Sequence, residues 1–398
     1  MKLAARLHAV QPSVTLAMSA RAAELRQSGT DVFAFGVGEP DFEPPDAVLD
    51  AAREAIGKGV SKYTAVTGIA PLKAAICDHA RRKKGFSPVP EQVTVTVGAK
   101  HALFNLAIAL FEPGDEVLIP SPFWVSYPEQ VRMMGAEPVI VPTREEDGWR
   151  MSGAALAAAV TPRTKALILC TPSNPTGAAY TPAELRALLE VVRAGDYWLI
   201  ADEIYAELSY DGASIRSVAE LAPDLLDRTV IVDGVSKTYA MTGWRIGWAI
   251  SPRPLAKALD TVQGQSTTNP SAIAQHAALA ALTGPQEAIS RMRDAFQARR
   301  DVMVAELNAV PGVRCRVPEG AFYAFADCRG LYGLPWGEKR IASDEDVAFF
   351  LLEKAHVAAV PGGAFGAPGY VRFSYATSEE RIRAGVASMR QAVAAARG

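Results

Sequence analysis

A lysine closing a short strand, two well-placed arginines and a glycine-led helix start carry the chemistry most visible in this chain. Lys237 ends the run Gly234-Val235-Ser236-Lys237, and an amine fixed at a strand end can attack a carbonyl and then carry a proton. Arg245 and Arg372 each offer a rigid guanidinium fork, which meets phosphate or carboxylate oxygens with two donors. Gly98-Ala99-Lys100 opens an apolar helical stretch, so free backbone N–H groups and the positive end of the helix dipole make an anion cradle. Taken singly, each has a plainer reading. Lysines mostly lie on surfaces, Arg372 reads as an edge-strand charge, and Lys100 as a solvated helix-start lysine. Asp202 alone reads as a turn or helix-capping aspartate, and Trp124 as core. Their arrangement has to decide.

That arrangement follows from the elements. Between residues 93 and 250 short apolar runs alternate with helical stretches. Val93–Val97, Glu116–Ile119, Pro138–Val141, Ala166–Cys170, Trp198–Ala201 and Val230–Asp233 read as strands, with helices over His101–Phe111, Ala154–Val160 and Pro182–Arg193 between them. The runs are continuously apolar, as strands buried on both faces are, so the fold class is α/β with a doubly wound, mostly parallel sheet. Ligands of such sheets lie beyond the carboxyl ends of the strands. Gly98-Ala99-Lys100, Ser121–Trp124, Thr171–Gly177, Asp202–Tyr205 and Gly234–Lys237 all stand there, so five loops converge on one crevice. After residue 290 the pattern changes to a smaller α+β unit, with helices over Ser290–Asn308 and Asp344–Ala355 and a strand over Tyr370–Tyr375. Gly330–Ala342 reads as a surface loop near a site.

The chain resembles the class I and II aminotransferases along nearly its whole length. Gly234–Gly247 is similar, position for position, to that family's cofactor-attachment motif. Ser173-Asn174-Pro175-Thr176-Gly177, Asp202-Glu203-Ile204-Tyr205, Gly36–Phe42 and the Tyr63-Thr64…Gly68…Leu72-Lys73 segment follow the family's order. The likeness is greatest to the bacterial aspartate aminotransferase branch called subgroup Iβ, some of whose members also use prephenate. It implies fold type I, with a large domain over 45–290, a small domain combining 1–44 with 291–398, an N-terminal arm over about 1–13, and Arg245–Ile250 as one antiparallel strand. The cofactor implied is pyridoxal 5'-phosphate, held by Lys237 as a Schiff base. Asp202 would keep the pyridine nitrogen protonated, Asn174 and Tyr205 would bond the phenolic oxygen, and Trp124 would stack on the ring, with Tyr127 supporting Asp202. Gly98, Ala99, Lys100, Ser236 and Arg245 would hold the phosphate, joined by Tyr63 from a second subunit, which implies a homodimer. The serine often found three residues before the lysine is Gly234 here, so its contact is lost. Arg372 would read the substrate α-carboxylate with Asn174 and Gly38.

Specificity rests on fewer residues. Thr15 and Lys100 resemble the positions with which the subgroup reads a second carboxylate, and Gln11 stands where prephenate users have lysine. Thr267, Thr268 and Asn269 resemble a polar segment reaching the pocket from the partner, and His101 is assigned nothing. The reaction implied moves an amino group between an amino acid, aspartate or glutamate first, and a 2-oxo acid. The alternatives are a prephenate or aromatic aminotransferase, or a β-eliminating lyase on the same scaffold.

Composition narrows the classes further. With 41 basic and 43 acidic side chains, net −2, the chain lacks the basic excess that nucleic acids or membrane surfaces demand. The basic run Arg81–Lys84 reads as a solvated helix end. No apolar stretch is long enough to span a bilayer and the N-terminus has no signal-peptide core. Four scattered cysteines suit neither disulfides nor a metal site, which points to the cytoplasm.

Overall fold

The computed structural model describes residues 3–10, 14–213 and 215–398, without the side chains of residues 5, 14–17 and 19. Strands β1 (Val93–Thr96), β2 (Glu116–Ser121), β3 (Glu137–Pro142), β4 (Thr164–Cys170), β5 (Trp198–Asp202), β6 (Thr229–Gly234) and β7 (Gly247–Ile250) form one sheet in the order β1-β7-β6-β5-β4-β2-β3. β7 runs antiparallel to both neighbours, and the other pairings are parallel. The apolar runs explain the layering. β1 and β6 are buried at every position, whereas β3, at the sheet edge, alternates between exposed and buried. Apolar clusters cover both faces of the sheet.

The flanking helices are set by local sequence. In Pro182–Ala194, Leu185, Leu188, Leu189 and Val192 recur at helical spacing and are all buried. Its start is fixed by Pro182 and by a capping box between Thr181 and Glu184.

A second, antiparallel sheet carries β8 (Arg314–Cys315), β9 (Tyr323–Asp327), β10 (Val360–Pro361) and β11 (Tyr370–Ser374) in the order β10-β11-β9-β8. Helices Glu287–Asn308, Asp344–Ala355 and Glu379–Arg397 contribute to the core beside it. Phe33–Ala34 pairs in parallel with Val357–Ala358, so the start of the chain is laid against its last third. Ile204, Tyr205, Leu208 and Tyr210, from the loop after β5, enter this same core. The crevice therefore has one wall from each sheet.

Two expectations fail. Lys84 follows the helix Ala70–Lys83 but is not solvated. Its ammonium is buried and lies 2.8 Å from both Glu203 and Asp233, acids at the ends of β5 and β6. The helix-dipole argument is local, and these tertiary carboxylates override it. Residues 330–342 are not a loop beside the crevice either. Pro335–Trp336 and Lys339–Arg340 pair as a hairpin, and Leu331, Trp336 and Ile341 are buried in the core of the smaller sheet.

Candidate active site

The five loops meet at the carboxyl ends of the parallel strands. Asp202 is the last residue of β5 and is buried. Its carboxylate accepts the Tyr127 hydroxyl at 2.7 Å and the Ile204 N–H at 3.2 Å. Burial pushes its pKa up, and the Tyr127 bond only partly opposes this. Tyr127 is placed by the helix Ser126–Met133, whose first turn also sets Trp124 against it edge-on at 5.4 Å.

Lys237 lies one turn past β6. Its ammonium donates to Gly38 O at 2.6 Å, and burial, opposed by Glu39, lowers its pKa to about 8. The rings of Phe322 and Tyr205 lie 5.7 and 6.0 Å away. Tyr205 and Tyr323 share a hydrogen bond at 3.0 Å between their hydroxyls.

Arg372 comes from the opposite wall, on β11. It is buried, donating from Nη1 to Asn174 Oδ1 and from Nη2 to Gly36 O, both at 2.9 Å. Its Nε has no partner among the described residues. Burial lowers the guanidinium pKa from its ordinary value. The Tyr323 and Phe365 rings pack 4.4 and 5.0 Å from its Cζ. Asn174, with its amide oxygen on Arg372, ties the loop after β4 to the smaller sheet.

At the head of the helix Ala99–Leu110, Gly98 has φ +81° and no side chain caps the turn. That φ strains any residue with a side chain, so glycine suits the position. A Cβ there would fall 2.6 Å from the Arg245 Nη2. Arg245 is itself left-handed at φ +56°, which turns its guanidinium back to the Thr242 and Val97 carbonyls. A Cβ on Gly247 would collide with Ala99 N, so β7 can lie under this helix start only as glycine. Gly234 is equally constrained, since its Cβ would come 2.9 Å from Gly247 Cα. The glycine noted in place of serine thus serves close strand packing. Ser236 is buried, and its hydroxyl makes no bond among the described residues.

Other sequence candidates fall around this centre. Lys100 is exposed, with its ammonium 4.9 Å over the Trp124 ring. His101 accepts the Val97 N–H through Nδ1 at 3.2 Å, a local helix-start bond. Tyr63 is 89% exposed, far more than an aromatic residue without a covering partner usually is. Thr267–Asn269 lie on the surface nearby. Gln275, fully buried, bonds Thr64 and the Ile69 N–H, and Gln263, also fully buried, bonds the Val66 and Val95 carbonyls. These glutamines went unnoticed in the sequence, although amides inside apolar helical runs were their signal. Gln11 and the Thr15 side chain lie outside the described residues.

The residues suit a phosphorylated pyridine aldehyde. A buried carboxylate accepts two protein donors where it can take about four, and among the described residues no cation touches it. A protonated ring nitrogen supplies both the donor and the charge. The Ala99 and Lys100 N–H groups have no acceptor among the described residues and stand beside Arg245, a combination suited to a phosphate. The lowered lysine amine completes the set.

Comparison with known proteins agrees. Residues 30–389 match the sequence pattern of the family Aminotransferase class I and II. The chain is 49% identical over 376 residues to the aspartate/prephenate aminotransferase of Cereibacter sphaeroides, covering 94% of each chain. It is 47% identical to the aspartate aminotransferase of Geobacillus stearothermophilus, covering 97% of each. The crystal structure of the Rhizobium meliloti aspartate aminotransferase superposes with a TM-score of 0.95 at 45% identity, over 99% of each chain. That of the Thermus thermophilus aspartate aminotransferase with maleate does so at 0.92 and 43%, over 98% of this chain and 100% of that one. With its lysine, its buried carboxylate and its two guanidinium forks on one crevice, and with the family pattern matched over residues 30–389, this chain belongs to the class I and II aminotransferases.

Proposed function

We propose that the protein is a homodimeric, pyridoxal-phosphate-dependent aminotransferase that takes aspartate or glutamate as donor. The observation that carries this reading is the Lys237 amine, lowered to about 8 and set between Asp202 on one wall and Arg372 on the other. Bound pyridoxal phosphate supplies an aldehyde for the amine and a ring that accepts the electrons released at the substrate Cα. Asp202 would hold the ring-nitrogen proton, Trp124 would back the ring, and Asn174 and Tyr205 would bond its phenolic oxygen. Gly98, Ala99, Lys100, Ser236 and Arg245 receive the phosphate.

Arg372 binds the α-carboxylate with its unpaired Nε and the free Nη protons, while Asn174 fixes the orientation of the fork. Lys237, partly neutral near physiological pH, then moves the proton at Cα. Arg372 and Gly38 belong to a unit formed by residues 1–44 and 291–398, and Lys237 and Asp202 to one spanning 45–290. A ligand gripped by both draws them together and excludes water.

Dimerisation is supported by the exposed Tyr63 and by the bonds tying its segment to the helix after Thr267–Asn269. Dicarboxylate use is supported by Lys100 above Trp124 and by the names of the relatives, one of whose solved structures is named as being with maleate. Prephenate also carries two carboxylates, and the names of three relatives include it, so it is the second reading for the acceptor.

Half-reactions followed by absorbance test this. Aspartate, glutamate, alanine and phenylalanine are offered singly to the loaded enzyme, then oxaloacetate, 2-oxoglutarate and prephenate to the aminated form. Fast conversion by the two dicarboxylic donors is expected, with ping-pong kinetics in the steady state. Equal rates with alanine, or pyruvate and ammonia released without an acceptor, defeat the proposal.

A further inference from the structure

We infer that Tyr323 is a positioning residue coupling the cofactor's phenolic side to the carboxylate-binding arginine. The inference rests on the cofactor reading given above. Strand register explains the placement. Tyr323 pairs with Ser374 and Phe325 with Arg372 across β9 and β11, so alternation puts Tyr323 and Arg372 on one face as diagonal neighbours. The Tyr323 ring lies 4.4 Å from the guanidinium carbon, while its hydroxyl reaches the Tyr205 hydroxyl at 3.0 Å. A Cβ at Gly38 would stand 3.1 Å from that same hydroxyl, so it also abuts the residue whose carbonyl receives Lys237. Tyr323 and Tyr205 are both buried, so neither hydroxyl can exchange this bond for water.

The two ends of the side chain do separate things. When Tyr205 donates to a phenolic oxygen, its own oxygen is left to accept, and Tyr323 is the donor in contact. A donor in that position polarises Tyr205 and strengthens its outgoing bond. A better-stabilised phenolate lowers the pKa of the Lys237 imine. The ring, for its part, flattens the guanidinium against β9 and keeps its free edge turned to the crevice, a cation–π contact in a dry site.

Two variants separate these effects. Tyr323→Phe keeps the ring and removes only the hydroxyl. Its imine pKa, read by absorbance titration of the loaded protein, is expected to rise by about 0.3 unit or more. KM for amino acids should stay within about twofold. Tyr323→Leu also removes the ring, and KM for aspartate, alanine and phenylalanine should rise together by about three- to thirtyfold. If the unaltered protein shows no imine titration, the cofactor reading itself fails. If it titrates and Tyr323→Phe titrates at the same pH, or does not load cofactor, the coupling is overturned. A Leu variant whose KM rises for dicarboxylic substrates alone also overturns it. Should the Leu variant not fold, the Phe variant decides.

Discussion

Lys84→Met leaves Glu203 and Asp233 buried and, among the described residues, without a cation in contact. Breaking a buried ion pair from one side costs about 3–5 kcal/mol. A typical domain has about 5–15 kcal/mol in all. Protonation limits the loss. Burial already pushes Asp233 up to about 6 against the pull of Lys84, from an ordinary 3.8. Without the lysine that pKa climbs further, and the folded state holds a proton that the unfolded chain has released. A folded state that binds more protons loses stability as pH rises, by about 1.4 kcal/mol per pH unit for each such proton. In the unaltered protein Asp233 has this effect only between its ordinary pKa and about 6. In the variant the window extends upward through neutrality. At about 2 °C per kcal/mol for a long chain, Tm at pH 8 should fall by about 5–10 °C, and the deficit should shrink on acidification to pH 6. Thermal scans of the cofactor-free protein at the two pH values measure both. An unchanged Tm at pH 8, or a deficit that grows at pH 6, refutes the reasoning. Adding Glu203→Gln and Asp233→Asn should restore most of the loss, because no stranded charge is left and Ser217, Val218 and Gly234 keep an acceptor.

Four further outcomes follow from the crevice. Lys237→Ala should abolish both the imine absorbance and transamination, and a persisting protein-bound imine shows that another amine carries the cofactor. Arg372→Ala should weaken every amino acid alike by about 1.5–3 kcal/mol, the range for hydrogen bonds to a charged group. Lys100→Ala should cost aspartate about tenfold while sparing alanine, and equal losses for both contradict its proposed role. Gly247→Ala drives a Cβ against Ala99 N and should destabilise the fold by about 1–3 kcal/mol. It should also weaken cofactor binding by displacing the helix start, and unchanged affinity in a cofactor titration of the apo-protein rejects the cradle.

The strands were legible because their apolar runs need burial on both faces, and the crevice was legible because parallel strands must end together. What escaped was tertiary. Lys84 was read from its own helix, yet its partner Glu203 is 119 residues away. The signal lay in the acids instead. Asp233 interrupts an otherwise apolar strand and Glu203 follows another, and two carboxylates entering one core demand a cation. Tyr323 lies in the aromatic run Phe322-Tyr323-Ala324-Phe325, but its part depends on the register between β9 and β11, which the run itself does not encode. The 330–342 stretch misled through composition, since its Gly, Pro and aromatic residues serve a hairpin turn and a core as readily as a loop.

Buried charge alone would not have told the site from the scaffold, because both contain it; the state of satisfaction does. Lys84 has two carboxylates, Glu203 has in addition the Ser217 hydroxyl and the Val218 N–H, and Asp233 has the Gly234 N–H. That cluster is closed and fixes the ends of β5 and β6. Asp202 and Arg372 are as deeply buried, but among the described residues Asp202 touches no cation and Arg372 touches no anion. Among the buried side-chain atoms of the described residues that lack a partner, the Arg372 Nε is the one that belongs to a charged group. An isolated buried charge costs far more than a neutral orphan, so a fold retains it only where a ligand completes it. On the proposed function, the open valences of Asp202 and Arg372 are where the cofactor and the reacting amino acid would bind, while the Lys84 cluster holds the ends of β5 and β6 from which Asp202 and Lys237 project.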